Sequence, residues 1–372
     1  MEAAMKFLFV ATVRSHIGQF HMPLIRALKA AGHTVHAAYR DNSADKKGLD
    51  LSPIDQVFEV PFERSPYKPR NLLAFKKLKA VIDVGDYDII HCHTPMGAVI
   101  TRLAAGNARR RGAKVFYTAH GFHFYRGASK LNWALYYPVE KLLAHRTDTL
   151  ITINREDYEL AVSRGFAAGR IVRIDGVGVE LDRFCPVTES ERAAARQELG
   201  FSPEQTVLLY AADLSKRKNQ PMLFRALARL KDSCPDLLLL LPGQPILQAE
   251  YERQCRELGI SHMVHFLGYR RDIDRLLAAC DAVVSSSRQE GLPLNLIEAA
   301  ARGRTIIATD VRGNADVVRQ SGCGVLVPLN DDEAMAAGIA GLCRGELPTG
   351  CGSIDCYRSE AIVKRLFELY GI

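Results

Sequence analysis

No apolar run among the 372 residues approaches the roughly 20 that a membrane-spanning helix needs. The candidates are Phe7 to Val13, which stops at Arg14, and the shorter Leu237 to Leu241. Lys6 is the only basic side chain ahead of the first of them, so neither a signal peptide nor a spanning segment is expected. Nine cysteines are odd in number and include no C-x-x-C pair, which indicates neither a disulfide framework nor a zinc knuckle. A reducing, cytoplasmic setting is the simplest expectation. Helix-turn-helix, zinc-finger and base-stacking patterns are missing as well, so no nucleic-acid partner is expected.

What is present is enough chain for two domains of about 150 to 200 residues. The balance of 48% hydrophobic to 24% charged residues is that of a globular enzyme. The net charge of +7 is unevenly shared: residues 1–185 carry 27 Lys and Arg against 18 Asp and Glu, and residues 186–372 carry 22 against 24. Basic residues cluster at Arg64 to Arg70, Lys76 to Lys79 and Arg109 to Arg111. Singly, each reads as solvated surface; together they favour an anionic membrane surface or a phosphate-bearing acceptor.

Short β-rich runs alternate with helical stretches. Lys6 to Val13 reads as a buried strand, Arg14 to Gln19 as a loop, Met22 to Ala31 as a helix closed by Gly32, and Thr34 to Tyr39 as a strand. Ile89 to Cys92, Lys114 to Thr118, Leu150 to Ile153 and Ile171 to Ile174 continue the series. After Phe184-Cys185-Pro186 the alternation restarts, with strands predicted at Thr206 to Ala211, Leu237 to Leu241, Val264 to Leu267, Ala282 to Ser285, Thr305 to Ala308 and Gly324 to Val327. The pattern is α/β with two doubly wound parallel sheets, whose ligand is expected in a crevice at the carboxyl ends of the strands. Residues 356–372 read as a final helix with Tyr357, Ile362, Leu366 and Leu369 on one face, and Gly341 to Ser353 as the linker before it.

The run Glu290-Gly-Leu-Pro-Leu-Asn-Leu-Ile-Glu298 places two carboxylates eight positions apart around a helix start near Pro293. The first turn of such a helix offers free N–H groups and a positive dipole end suited to a diphosphate. One Glu before the turn and one within the helix can reach opposite ends of an extended ligand with hydroxyls, then phosphates, then hydroxyls. A nucleotide sugar has that layout.

Motifs at several strand ends resemble glycosyltransferase family 4, the retaining, metal-independent sugar transferases of the GT-B fold. They are Ser15-His-Ile-Gly-Gln-Phe-His21, His91-Cys-His93-Thr, Thr118-Ala-His-Gly121, Gly176-Val-Gly-Val179, Leu214-Ser-Lys-Arg-Lys-Asn219, Phe266-Leu-Gly268, Glu290 to Glu298 and Asp310-Val-Arg-Gly313. The runs Thr118 to Phe124 and Leu131 to Tyr137 look most like bacterial transferases of capsule, exopolysaccharide and glycan-carrier assembly. The resemblance implies two Rossmann-like domains facing a central cleft: an acceptor domain over 1–185, a nucleotide-sugar domain over 186–355, and a helix over 356–372 that crosses back.

It also implies roles. Glu290 would touch the donor sugar and Glu298 the ribose; main-chain groups around Leu292, Pro293, Leu294 and Asn295 would meet the diphosphate. Lys218 would stabilise the leaving phosphate. Where the family often has an Arg five positions earlier this chain has Asp213, so Lys216 or Arg217 supplies a second cation, or one cation suffices. His120 would face the donor sugar, Gly18 would let the backbone approach the diphosphate, and Gly268 would lie beside the base. His91, His93 and His123 read as strand-end residues with satisfied partners. Arg14, His16 and Arg126 are candidates for the acceptor, with Phe122, Phe124, Tyr125, Trp133, Tyr136 and Tyr137 as an aromatic surface beside them. The Asp-x-Asp triplets Asp86-Tyr-Asp88 and Asp272-Ile-Asp274 read as turn and N-cap carboxylates, so neither a metal nor another cofactor is expected.

The implied reaction moves a sugar, with retention, from a UDP-sugar to an acceptor hydroxyl, a polyprenyl-diphosphate-linked glycan by the subgroup resemblance. The protein would work at the inner face of the plasma membrane without spanning it. A GT-B nucleotide-sugar epimerase and an inert sugar-nucleotide-binding subunit are the alternatives, and the oligomeric state is open.

Overall fold

The computed structural model of the protein describes residues 3–43, 48–348 and 350–372. The chain divides into two compact units, residues 1–178 with 359–372, and residues 179–358.

The first unit begins with β1 (Lys6–Val13), α1 (Arg14–Phe20), α2 (Met22–Ala30), β2 (Thr34–Arg40), β3 (Gln56–Glu59) and α3 (Arg70–Gly85). It continues through β4 (Ile89–His93), α4 (Pro95–Ala104), α5 (Gly106–Arg110), β5 (Lys114–Ala119), α6 (Lys130–Ala144), β6 (Thr149–Thr152), α7 (Arg155–Ser163) and β7 (Arg170–Arg173). These strands form one parallel sheet in the order β3-β2-β1-β4-β5-β6-β7. Helices on both faces bury the central strands, so β1 reads as a nearly continuous apolar run instead of an alternating one. The direction of winding reverses between β1 and β4, and that switch point is where an open parallel sheet leaves a crevice.

The second unit repeats the scheme. Its elements are α8 (Glu189–Leu199), β8 (Thr206–Leu209), α9 (Gln220–Leu230), β9 (Leu237–Pro242), α10 (Gln248–Glu257), β10 (Val264–Gly268) and α11 (Ile273–Ala279), followed by β11 (Ala282–Ser285), α12 (Leu294–Ala301), β12 (Thr305–Thr309), α13 (Asn314–Ser321), β13 (Gly324–Val327) and α14 (Asp332–Cys343). The parallel order is β10-β9-β8-β11-β12-β13, with its switch point between β8 and β11. Helix α8 starts at a side-chain N-cap, the Thr188 hydroxyl accepting from the Glu191 N–H. In β9 the Leu237 to Leu241 run is buried throughout, each fully buried leucine contributing roughly 2 kcal/mol of burial.

The last helix, α15 (Ser359–Tyr370), belongs to the first unit and buries Ile362, Leu366, Leu369 and Tyr370. Gly178 faces Ser359 so closely that a Cβ on it would lie 2.7 Å from the Ser359 Cα.

Several expectations need correction. Arg14 to Gln19 is helix α1, not a loop, and Gly18 lies inside it. A Cβ at Gly18 would come 3.0 Å from Leu49 Cδ1, so side chains pack closely against it. The expected linker Gly341 to Ser353 begins as the end of α14, and its Thr349 lies outside the described residues. The odd cysteine count did not reveal one disulfide, between Cys323 and Cys351, 28 residues apart in sequence. The aromatic surface is smaller than expected: Phe122 and Phe124 are buried core, while Trp133, Tyr136 and Tyr137 are partly exposed and pack against it.

Candidate active site

In the second unit the functional candidates gather at the carboxyl ends of β8 and β11, the switch point of its sheet. Glu290, in the loop between β11 and α12, is only 7% exposed. Lys218, in the loop between β8 and α9, donates from Nζ to its Oε1 at 2.6 Å. Arg217 donates to its Oε2 at 3.1 Å, and Ser287 Oγ donates to Oε1 at 2.6 Å. Burial alone would raise the pKa of this carboxyl, but Lys218 and Arg217 outweigh it and hold Glu290 below the ordinary carboxylate value. Two cations against one carboxylate leave this corner net positive. Of the two candidates for the second cation, the structure puts Arg217 on Glu290 and leaves Lys216 exposed. Asp213 is engaged elsewhere, its Oδ1 accepting from the Gln244 N–H.

Helix α12 starts at once after Pro293, whose φ of −81° and ψ of 108° turn the chain into it. The N–H groups of Leu292, Leu294 and Asn295 have no acceptor among the described residues. Pro293 has no N–H to offer, so the free donors flank it. Asn295 ties this first turn to the loop after β8 through its Nδ2, 3.4 Å from the Ala211 carbonyl. Glu298 sits one turn further in, and its pKa is raised from 4.5 to about 7, mainly by burial and less by Asp274, against the opposing pull of Arg183.

The loop bearing Glu290 is held from behind by residues that sequence spacing did not single out. Arg312 Nε donates to the Glu290 carbonyl at 3.1 Å, and Thr309 Oγ1 donates to the Ser287 carbonyl at 2.7 Å. Gly313, at φ 77°, lies so close that a Cβ would stand 2.6 Å from the Gly291 carbonyl oxygen. The Asp310-Val-Arg-Gly313 motif was the available signal. Gly268, at φ 62°, closes β10 with open space around it.

In the first unit, His16, His21, His93 and His120 come together where β1, β4 and β5 end. Burial lowers the pKa of His120 to about 4 and, with smaller effects from neighbouring histidines, lowers those of His16, His21 and His93. All four rings are therefore neutral at neutral pH. His91 fits the expectation of a satisfied residue, its two nitrogens paired with Tyr370 Oη at 2.6 Å and Thr118 Oγ1 at 2.7 Å. His93 does not: it is fully buried with no partner for Nε2. Beside the cluster lies a mostly apolar cavity of about 630 Å³, lined among others by His16, Arg64, Tyr67, Leu135, Tyr136 and Glu140.

Of the other acceptor candidates, Arg14 donates to the Leu49 carbonyl at 2.9 Å, and Arg126 is exposed with its N–H bonded to Glu156. Among the exposed apolar residues of this unit, Leu131, Leu135, Val139 and Leu142 form one stripe at helical spacing on α6, while others, such as Leu72, Leu73 and Val84, lie on α3. The Asp-x-Asp triplets have protein partners: Asp88 accepts from the Lys6 N–H at 2.7 Å, and Asp272 from Arg270 Nε at 2.8 Å. Asp272 does hold the N-cap position of α11, but without a side-chain capping bond.

Comparison with known proteins agrees with this architecture. The family described as Glycosyltransferase Family 4 matches residues 22–183, and that described as Glycosyl transferases group 1 matches residues 191–349. The chain is 43% identical over 334 residues to the Bacillus subtilis (strain 168) protein named "Putative glycosyltransferase EpsD", covering 90% of this chain and 86% of that one. It is 28% identical over 273 residues to the Escherichia coli UDP-Gal:alpha-D-GlcNAc-diphosphoundecaprenol alpha-1,3-galactosyltransferase, covering 70% and 69%. Among solved structures, Anabaena Alr3699/HepE in complex with UDP and glucose superposes with a TM-score of 0.73 at 23% identity, over 99% of both chains. The chain belongs to glycosyltransferase family 4 and is a glycosyltransferase built from two Rossmann-like units of the GT-B fold.

Proposed function

We propose that the protein transfers a sugar, with retained anomeric configuration, from a UDP-sugar to a hydroxyl of a lipid-linked acceptor. The observation that carries the donor half is the start of α12: unclaimed main-chain N–H groups stand between Glu290, clamped by two cations, and Glu298 one turn on. The diphosphate would take the amides of Leu292, Leu294 and Asn295 together with Lys218 and Arg217, leaving Glu290 for the sugar hydroxyls and Glu298 for the ribose. Gly268 would leave room for the base.

In this reading the bond from the anomeric carbon to the leaving phosphate breaks as the acceptor oxygen bonds on the same face. A phosphate oxygen takes the acceptor proton, and Lys218, Arg217 and the helix dipole stabilise the charge that develops. No divalent ion is assigned to the diphosphate.

The acceptor half rests on the first unit's positive surplus, its apolar cavity and the exposed stripe of α6, two of whose residues, Leu135 and Val139, also line the cavity. Such a surface suits a polyprenyl-diphosphate-linked sugar at an anionic membrane face. The Escherichia coli relative, named for a diphosphoundecaprenol acceptor, supports the class. No helix among the described residues is long and apolar enough to cross a membrane, so attachment in this reading is peripheral.

The test is product analysis. Incubation with UDP-sugars and a bacterial lipid extract, in the presence of a chelator, is expected to release UDP and label a lipid with the α linkage of the donor. An altered sugar still joined to UDP, donor binding without turnover, or an inverted linkage would each overturn the reading.

A further inference from the structure

The histidine cluster of the first unit has a geometry that hydrogen bonding between imidazoles does not explain. One ring nitrogen from each of His16, His21, His93 and His120 lies within 4.8 Å of the other three. His120 Nε2 stands 3.3 Å from His16 Nε2 and also 3.3 Å from His93 Nδ1. A neutral imidazole has one N–H and one lone pair, so a single His120 nitrogen cannot donate to both neighbours. His21 and His93 stack with centroids 3.8 Å apart, and the Nε2 atom of His21 is buried without a partner. Polar atoms buried unpaired cost free energy that a shared cation could offset.

The spacing points to the kind of cation. Metal–nitrogen bonds of 2.0–2.1 Å in a tetrahedron place ligand nitrogens about 3.4 Å apart, close to the separations of His120 Nε2 from His16 and His93. His91 lies in the same cluster, its ring centroid 4.2 Å from that of His93, yet both its nitrogens are taken, which leaves four donors and not five. The set holds imidazoles alone, with no carboxylate, a composition that suits zinc-class ions and not magnesium or calcium. His16 is only half-buried and lines the cavity, which gives an ion a route in.

We propose that His16, His21, His93 and His120 form a tetrahedral site for a transition-metal cation of the zinc class, tying together the segments that follow β1, β4 and β5. The site is in the first unit and is independent of the donor's diphosphate, so it stands whether or not the donor assignment does.

The experiment uses full-length protein without an affinity tag, treated with chelator, desalted, loaded with Zn²⁺ or Co²⁺ and desalted again. One equivalent of metal per chain is expected, together with the strong visible absorption of tetrahedral Co²⁺ and a rise in melting temperature on loading. His16→Gln, at a half-buried position, and His21→Phe, which keeps a ring but no nitrogen, are each expected to lower retention at least tenfold and abolish the Co²⁺ bands. Failure of the wild type to retain metal, the weak spectrum of octahedral Co²⁺, a sulfur charge-transfer band marking cysteine ligation, or equal retention in the folded variants would overturn the proposal.

Discussion

Removing the charge of Glu290 tests the donor site most searchingly, because its carboxylate is the common partner of both cations. In Glu290→Gln the Ser287 hydroxyl can still donate to the amide oxygen, whereas Lys218, whose side chain is 13% exposed, loses its counter-charge. Breaking a buried ion pair costs about 3–5 kcal/mol. Arg217, half exposed, adds about 1 kcal/mol at most. In transfer, loss of one organising group of this kind is expected to lower kcat/KM by roughly 10²–10³-fold. Lys218→Ala should do the same, and the pair should not be additive: at a separation of 2.6 Å their coupling should reach about 1–3 kcal/mol. Because the pKa of Glu290 is depressed, the folded state gains from its ionisation at and above the ordinary carboxylate value of 4.5, and that gain is lost as pH falls through the lower folded value. The assay is donor-dependent UDP release by the two single variants and the double variant at neutral pH, with folding checked by circular dichroism. Additive losses, or near-wild-type turnover in Glu290→Gln, would refute the clamp.

Glu298 gives a pH signature of opposite sign: with its pKa raised to about 7, the native carboxyl is neutral where the unfolded one is charged, so its contribution to stability falls as pH rises from about 4.5 to about 7. If the ionised form accepts the ribose hydroxyls, kcat/KM for the donor should climb through about pH 7, and Glu298→Gln should flatten that limb; an unchanged limb in the variant would refute the assignment. Gly313→Ala should displace the Gly291 carbonyl and combine a positive-φ penalty of about 1–2 kcal/mol with weaker UDP binding, read by calorimetry, and undiminished binding would contradict the packing argument. Replacing Leu131, Leu135 and Leu142 by Ser should cut sedimentation with anionic vesicles at least tenfold while leaving stability within about 1 kcal/mol, because these side chains are already exposed; retained sedimentation would remove α6 from the membrane face.

The strands were legible because parallel strands buried on both faces appear as uninterrupted apolar runs, and β11 and β13 fall on the residues expected. Strand β3 was missed because it is four residues at a sheet edge and largely exposed, so neither length nor alternation marks it. Helix α1 was misread because Arg-Ser-His-Ile-Gly-Gln-Phe has no apolar periodicity and carries a glycine, packed against Leu49 and Leu51. The aromatic run was legible only in part, because composition does not reveal which aromatics turn inward: Phe122 and Phe124 are buried, and Leu131, Leu135, Val139 and Leu142 are the exposed large apolar residues of α6. Glu290 and Lys218 were expected at one ligand, but their ion pair joins residues 72 positions apart and depends on β8 and β11 being neighbours. The histidine cluster was hidden for the same reason, since β1, β4 and β5 become adjacent only in the sheet order.

The central claim is that the amides at the start of α12, with Lys218 and Arg217, receive the donor's diphosphate. A crystal structure of the full chain with bound UDP tests it directly. The account predicts phosphate oxygens within hydrogen-bonding distance of the Leu294 and Asn295 N–H groups and of the Lys218 ammonium, with the ribose on Glu298. A diphosphate bound at the first unit's histidine cluster, or through a divalent ion on either Asp-x-Asp triplet, would contradict it.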